Sequence, residues 1–135
     1  PENPNHWFYK EWIKKHHEEV DLIVLDSAVA LYRVDDMKSY KLSKELRKQV
    51  QLLSNIARKH DIAVVITNQI YNAFDDEGNN EVKAVGGDIL EYTSKVIIKL
   101  ERGDEINQRI ATLKRHRSLP EGRQVTFHIT SNGIV

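Results

Sequence analysis

Two apolar runs in this chain end abruptly in polar groups, and that repetition is the first chemical clue. Asp21-Leu22-Ile23-Val24-Leu25-Asp26-Ser27 closes on a carboxylate and a hydroxyl, and Ile62-Ala63-Val64-Val65-Ile66-Thr67-Asn68-Gln69 closes on a hydroxyl and two amides. Such runs, without polar alternation, suit strands covered on both faces, as in a parallel sheet. In open α/β sheets, ligands bind outside the carboxyl ends of the strands. Asp26 and Ser27 are equally the residue types that cap a following helix, so the first run alone leaves both readings standing. Gln69 is the sharper residue. Glutamine is not a favoured cap, and a side-chain amide at a strand end can sense a phosphate oxygen or orient a water.

A third candidate is Lys114-Arg115-His116-Arg117, the densest positive patch of the sequence, just before Leu119-Pro120-Glu121-Gly122. Four basic residues at the end of an edge strand either bind phosphate or discourage edge-to-edge pairing. The adjacent His16 and His17 diverge on a helix, which favours a solvated face over a metal site. Neither phosphate-binding signature, Gly-x-x-x-x-Gly-Lys-Ser/Thr or Gly-x-Gly-x-x-Gly, occurs, and the chain opens in mid-pattern, as a fragment of a longer protein would. There is no cysteine, so disulfides and thiolate metal sites are excluded, in keeping with a reducing compartment. Lys plus Arg number 20 and Asp plus Glu number 20, so any nucleic-acid partner has to be met by local patches. No apolar run approaches the roughly 20 residues needed to span a bilayer. A soluble, cytoplasmic protein with no membrane association is the expectation.

The elements that must position these groups follow from periodicity. Asn5 to Val20 reads as an amphipathic helix with Asn5 as N-cap and an aromatic-rich face in which Trp7 and Trp12 pack on a core. A strand covers 21–26, a short apolar stretch 27–33, and a polar loop with Asp35 and Asp36 follows. From Tyr40 to His60, Leu42, Leu46, Val50, Leu53, Ile56 and Ala57 recur at three and four and predict a long helix. Lys41, Lys44, Arg47, Lys48, Arg58 and Lys59 fall on its far side, the pattern of a solvated face more than of a nucleic-acid contact. The second apolar run then lies parallel to the first by a right-handed crossover. That brings Asp26, Ser27, Thr67, Asn68 and Gln69 to one sheet edge. Residues 70–87 read as a long, mobile loop, acidic at Asp75, Asp76, Glu77 and Glu81, with Gly86-Gly87 as a hinge. A short helix at 88–92 precedes strands at 95–100, 109–114 and 124–130, separated by turn residues and placing Val125, Phe127 and Ile129 on one face. The 135 residues read as one α/β domain: parallel strands with a crossover helix, then an antiparallel C-terminal extension.

The order of these features resembles the ATPase core of the RecA-like recombinases, and within that family its archaeal RadB-type branch. Leu22 to Ser27 followed by Ala30-Leu31-Tyr32-Arg33 looks like the Walker B strand and the arginine opening the first DNA-binding loop. Ala63 to Gln69 looks like the strand leading into the second such loop, and Gly86-Gly87 like the pair closing it. Lys114 to Gly122 is similar to a segment that lies near a neighbouring subunit's nucleotide in filament formers. The resemblance covers residues 20–135. It implies a RecA-like core fragment in which Asp26 assists the Mg²⁺ of bound ATP through water, with Ser27 beside it. Gln69 would couple the γ-phosphate to the second loop, and Arg33, with Lys114, Arg115, His116 and Arg117, would face single-stranded DNA. The phosphate loop, its lysine and the catalytic glutamate would lie before Pro1. ATP and Mg²⁺ are therefore expected in a full-length parent, and neither tight nucleotide binding nor hydrolysis in this chain alone. The implied function is an accessory role in DNA repair and homologous recombination. Open alternatives are a docking module for a RadA-type recombinase or a Holliday-junction enzyme, and another RecA-superfamily core, KaiC-like or helicase-type. An unpaired sheet edge makes a homo-oligomer a further expectation.

Overall fold

The computed structural model describes residues 8–28, 39–74, 80–84 and 89–135. The chain divides into two compact units, Pro1–Thr93 and Ser94–Val135. Asn5, Trp7, Arg33, Asp35, Asp36, the 75–79 apex and the Gly86-Gly87 pair lie outside the described residues.

The first unit begins with a π-helical turn at Phe8–Trp12, helix α1 at Ile13–His16 and a 3-10 turn at His17–Glu19, where the sequence predicts one regular helix. The spacing still does its work. Tyr9 and Ile13 are buried, while Phe8, Trp12 and Val20 pack around them. The Phe8, Trp12 and His16 rings stack in succession at 5.1 and 4.4 Å, and His16 also bonds the Trp12 carbonyl through Nδ1 at 2.9 Å. Trp12 is thus a core residue. The buried Tyr9 hydroxyl meets Gln49 of the long helix, and burial raises its pKa above the ordinary 10.0 despite that bond.

Strand β1 at Leu22–Leu25 pairs in parallel with β2 at Ala63–Ile66, Leu22 opposite Ala63 and Leu25 opposite Ile66. Helix α2, Ser39–His60, connects them. Its stripe behaves as the spacing predicts: Leu46, Val50, Leu53 and Ile56 are buried. Leu53 and Ile56 join Tyr9, Ile13, Ile23 and Ile62 in one cluster, and Leu46 and Val50 join Ala28 in a second. Each such side chain contributes about 1.5–3 kcal/mol by leaving water. Across the wheel, Lys44, Arg47, Lys48, Arg58 and Lys59 are exposed. Lys48 is paired with Glu45 at 2.7 Å and Arg58 with Asn55 at 3.1 Å, as on an ordinary solvated face.

The end of α2 is chemically defined. Asp61 takes the left-handed conformation (φ 54) that stops the helix, and the Ile62 N–H reaches back to the Ala57 carbonyl at 3.2 Å. This is a Schellman stop, which satisfies an orphan carbonyl and turns Ile62 down beside Ile56. Arg58, Lys59 and His60 in the last turn suit the negative end of the helix dipole.

Coverage of the parallel pair differs from expectation. Ile23, Val64 and Ile66 join the α2 side, but Leu22, Val24 and Val65 on the other face are 52%, 58% and 49% exposed. Two strands flanked by the first helical segment and α2 have one face closed, so the unbroken apolar runs carry more hydrophobic surface than this unit buries.

Residues 70–74 and 80–84 depart from the predicted loop. They form an antiparallel hairpin, β3 at Ile70–Phe74 and β4 at Asn80–Ala84, with Ile70 opposite Ala84 and Phe74 opposite Asn80. The acidic, Gly-containing 75–79 segment masks flanks in which Ile, Tyr, Phe and Val favour strand, and strand preference is decided by the partner more than by the residues alone. Helix α3, Ile89–Thr93, sets Ile89 and Leu90 against the Leu46 and Val50 cluster.

The second unit is a meander of four antiparallel strands: β5 at Ile97–Arg102, β6 at Gln108–Arg115, β7 at Gln124–Thr130 and the short β8 at Gly133–Ile134. The last was not expected. The registers place Ile98, Leu100, Leu113, Ala111, Val125, Phe127, Ile129 and Ile134 on one face. The opposite face is mostly polar around Ile110, with Lys99 paired to Glu101 at 2.7 Å and Gln124 donating to Thr112 at 3.1 Å.

Candidate functional site

At the carboxyl ends of β1 and β2 the predicted groups do meet. The ladder continues one step past the strands, with the Thr67 N–H on the Leu25 carbonyl at 3.0 Å and the Ala28 N–H on the Thr67 carbonyl at 2.9 Å. The two ends are thereby stapled, and the Thr67 hydroxyl donates to Asp26 Oδ1 at 2.5 Å across 41 residues of sequence. Asp26, Thr67 and Gln69 are exposed, and Ser27 and Asn68 are half-buried. Gln69 is the last residue before β3, so it joins the strand end to the hairpin that replaces the predicted loop. Thr67 is the partner that sequence reading placed at this edge without giving it a role. The signal for it was the repetition of a polar residue after each apolar run.

Asp26 is the group at this edge with the chemistry to help hold a cation. Thr67 engages one Asp26 oxygen, and a single exposed, oriented carboxylate matches a hydrated Mg²⁺ that keeps its waters and takes further oxygens from a substrate's phosphates. It does not make an all-protein cage. Among the described residues no three His, Cys, Asp or Glu side chains gather as a metal site; His16 and His17, expected on a solvated face, are half-buried, with His16 stacked on Trp12. His17 instead stacks on His60 at 4.1 Å, and the His60 ring is held below the ordinary imidazole pKa, by desolvation first and then by His17 and Lys59.

The basic cluster closes β6 in the second unit. Lys114 and Arg117 are exposed, while Arg115 and His116 are half-buried. Successive strand residues face opposite ways, so Lys114 and Arg115 diverge and do not form one flat patch. His116 is turned inward: its Nδ1 accepts the main-chain N–H groups of Ser118 and Leu119, each at 3.1 Å. The base of the loop is tied by the Gly122 N–H on the Leu113 carbonyl and the Leu113 N–H on the Arg123 carbonyl, both 2.8 Å. Gly122 has φ +83, which a residue without a Cβ adopts at no steric cost. Of the remaining predicted site residues, Arg33 lies outside the described residues.

A parallel pair with a crossover helix and polar strand ends, followed along the chain by an antiparallel meander, is a mixed α/β arrangement consistent with a RecA-like core. The Rad51 family profile matches residues 9–135, and the chain belongs to that family. Similar proteins include the DNA repair and recombination protein RadB of Methanobrevibacter smithii, 66% identical over 92% of this chain and 53% of the relative. That of Methanothermobacter thermautotrophicus is 45% identical over the same shares. A crystal structure of the RadB recombinase superposes with a TM-score of 0.68 at 35% identity, covering 94% of this chain and 58% of that one. The chain spans about half the length of the curated relatives it matches. No helix among the described residues is long and apolar enough to cross a membrane.

Proposed function

We propose that this chain is the part of a RadB-like accessory protein of DNA repair and homologous recombination that carries the Walker B edge and a basic DNA-facing loop. The observation carrying the reading is the stapled edge, where Asp26 is oriented by Thr67 and Gln69 leads directly into the β3–β4 hairpin. In a full-length parent, Asp26 and Ser27 would hold Mg²⁺-ATP from this side, and that ion would supply charge neutralisation at the phosphates. Asp26 acts through water, Thr67 fixes its rotamer, and Gln69 transmits the state of the phosphate end to the hairpin. The protein would work in the cytoplasm on single-stranded DNA, contacted by Arg33, Lys114, Arg115 and Arg117, while His116, expected from the sequence to join them, has its Nδ1 taken up by the main chain of its own loop.

Fluorescence anisotropy with a labelled oligothymidylate across a salt series tests the DNA part. Binding should be salt-sensitive, and Lys114→Glu with Arg117→Glu should reduce the slope of log affinity against log salt by about one unit per lost phosphate contact. Negligible binding at low salt, or binding indifferent to those substitutions, refutes it.

A second reading is favoured by the apolar face of the C-terminal sheet, where Ile98, Leu100 and Val125 are 59%, 61% and 66% exposed. Contiguous apolar surface of this kind marks a docking site, for instance on a RadA-type recombinase or a Holliday-junction enzyme. A pull-down that survives nuclease treatment supports docking, and one that does not supports a DNA bridge.

A further inference from the structure

Cations near phosphate ordinarily bind more tightly as they gain protons, but the geometry of the 114–123 loop runs the other way. We propose that His116 is a positioning residue whose neutral imidazole holds the loop in its binding form, and that protonation of His116 releases it. The part concerning DNA rests on the reading of this cluster as a phosphate-binding surface.

The loop leaves β6 at Arg115 and returns to β7 at Gln124. Its base is held by the main-chain bonds between Leu113 and the Gly122 to Arg123 pair. Its apex is held differently. The N–H groups of Ser118 and Leu119 converge at 3.1 Å on one acceptor, Nδ1 of His116, with the Ser118 hydroxyl at 3.5 Å from the same atom. A nitrogen that accepts carries no proton, so the ring is neutral with its hydrogen on Nε2. An imidazolium has no acceptor, and a proton on Nδ1 would confront two N–H groups.

Charged residues of the same strand end, the returning arm and the paired strand share this region. From its own strand end and turn come Lys114, Arg115 and Arg117, and from the returning arm Glu121 and Arg123. On the neighbouring strand Ile97 pairs with Arg115, and Lys95 precedes it. A proton on Nδ1 therefore opens the apex while the base stays tied. Lys114 and Arg117 then flank a segment that has to be reordered on binding.

Nuclear magnetic resonance of the 135-residue chain separates the device from its consequence. As the His116 ring titrates, hydrogen-exchange protection of the Ser118 and Leu119 amides should fall by at least about tenfold, the loss expected for two hydrogen bonds. In His116→Asn an amide oxygen replaces Nδ1 and does not titrate, so protection should persist to about pH 5. Protection that survives ring protonation in the parent protein overturns the proposal, as does equal loss in His116→Asn. For the consequence, anisotropy with labelled oligothymidylate should show affinity falling on acidification relative to His116→Asn. Affinity that rises equally in both proteins overturns the coupling to binding. If the amides respond as expected and the oligonucleotide binds at no pH, the DNA reading fails and the His116 switch stands.

Discussion

The hydroxyl-to-carboxylate bond between Thr67 and Asp26 joins the two strand ends through side chains, and a double-mutant cycle measures it. Thr67→Val keeps shape and β-branching while deleting the donor, and Asp26→Ala deletes the acceptor. A hydrogen bond to a charged group contributes about 1.5–3 kcal/mol when water is excluded. Both residues are exposed here, so water competes for each partner, and the coupling should shrink to about 0.5–1 kcal/mol. With a urea slope of about 2 kcal/mol per molar, that coupling corresponds to about 0.25–0.5 M in the midpoint. Far-UV ellipticity, dominated by the 22-residue α2, is the assay, read for wild type, both single variants and the double. Thr67→Ser, which retains the hydroxyl, should recover most of the coupling. A coupling below about 0.2 kcal/mol would refute the idea that Thr67 orients Asp26, because a solvent-averaged carboxylate shows no dependence on its neighbour.

The helix stop gives a prediction of opposite sign: Asp61→Gly relieves a side chain held at φ 54 and should stabilise the chain by about 0.5–1 kcal/mol, and a lowered denaturation midpoint would count against the Schellman assignment. The stacked His17 and His60 pair predicts acid sensitivity. A folded-state pKa lowered from 6.5 means stability that is present above that value and lost as pH falls through the folded value, so His60→Gln should flatten the acid limb of a stability profile.

Much of the parallel layer was legible because it rests on local patterns. Four buried residues at helical spacing specify α2 whatever their neighbours are, and its polar face needs only water. The Ile/Val/Leu runs specify β1 and β2 and their polar ends for the same reason. The hairpin was not legible, because β3 gains its hydrogen bonds from a strand six or more residues away and its apex has loop chemistry. The open face of the parallel pair was not legible either: a run of apolar residues states what a strand prefers to bury, not whether another layer is supplied to bury it. The family resemblance named Asp26, Ser27 and Gln69, but the pairing of Asp26 with Thr67 required the crossover to bring them together.

Sequence alone therefore determined α2, β1, β2 and the three longer strands of the C-terminal meander, their order, the polar strand ends and the positive cluster, since spacing and residue type act over a few residues. Tertiary structure decided how those groups are used. It set the Asp26 carboxylate against a hydroxyl 41 residues away, and it turned His116 from one cation among four into an acceptor for its own loop. Both are contacts between groups whose distance depends on the path of the chain, and no periodicity in the residues records that path.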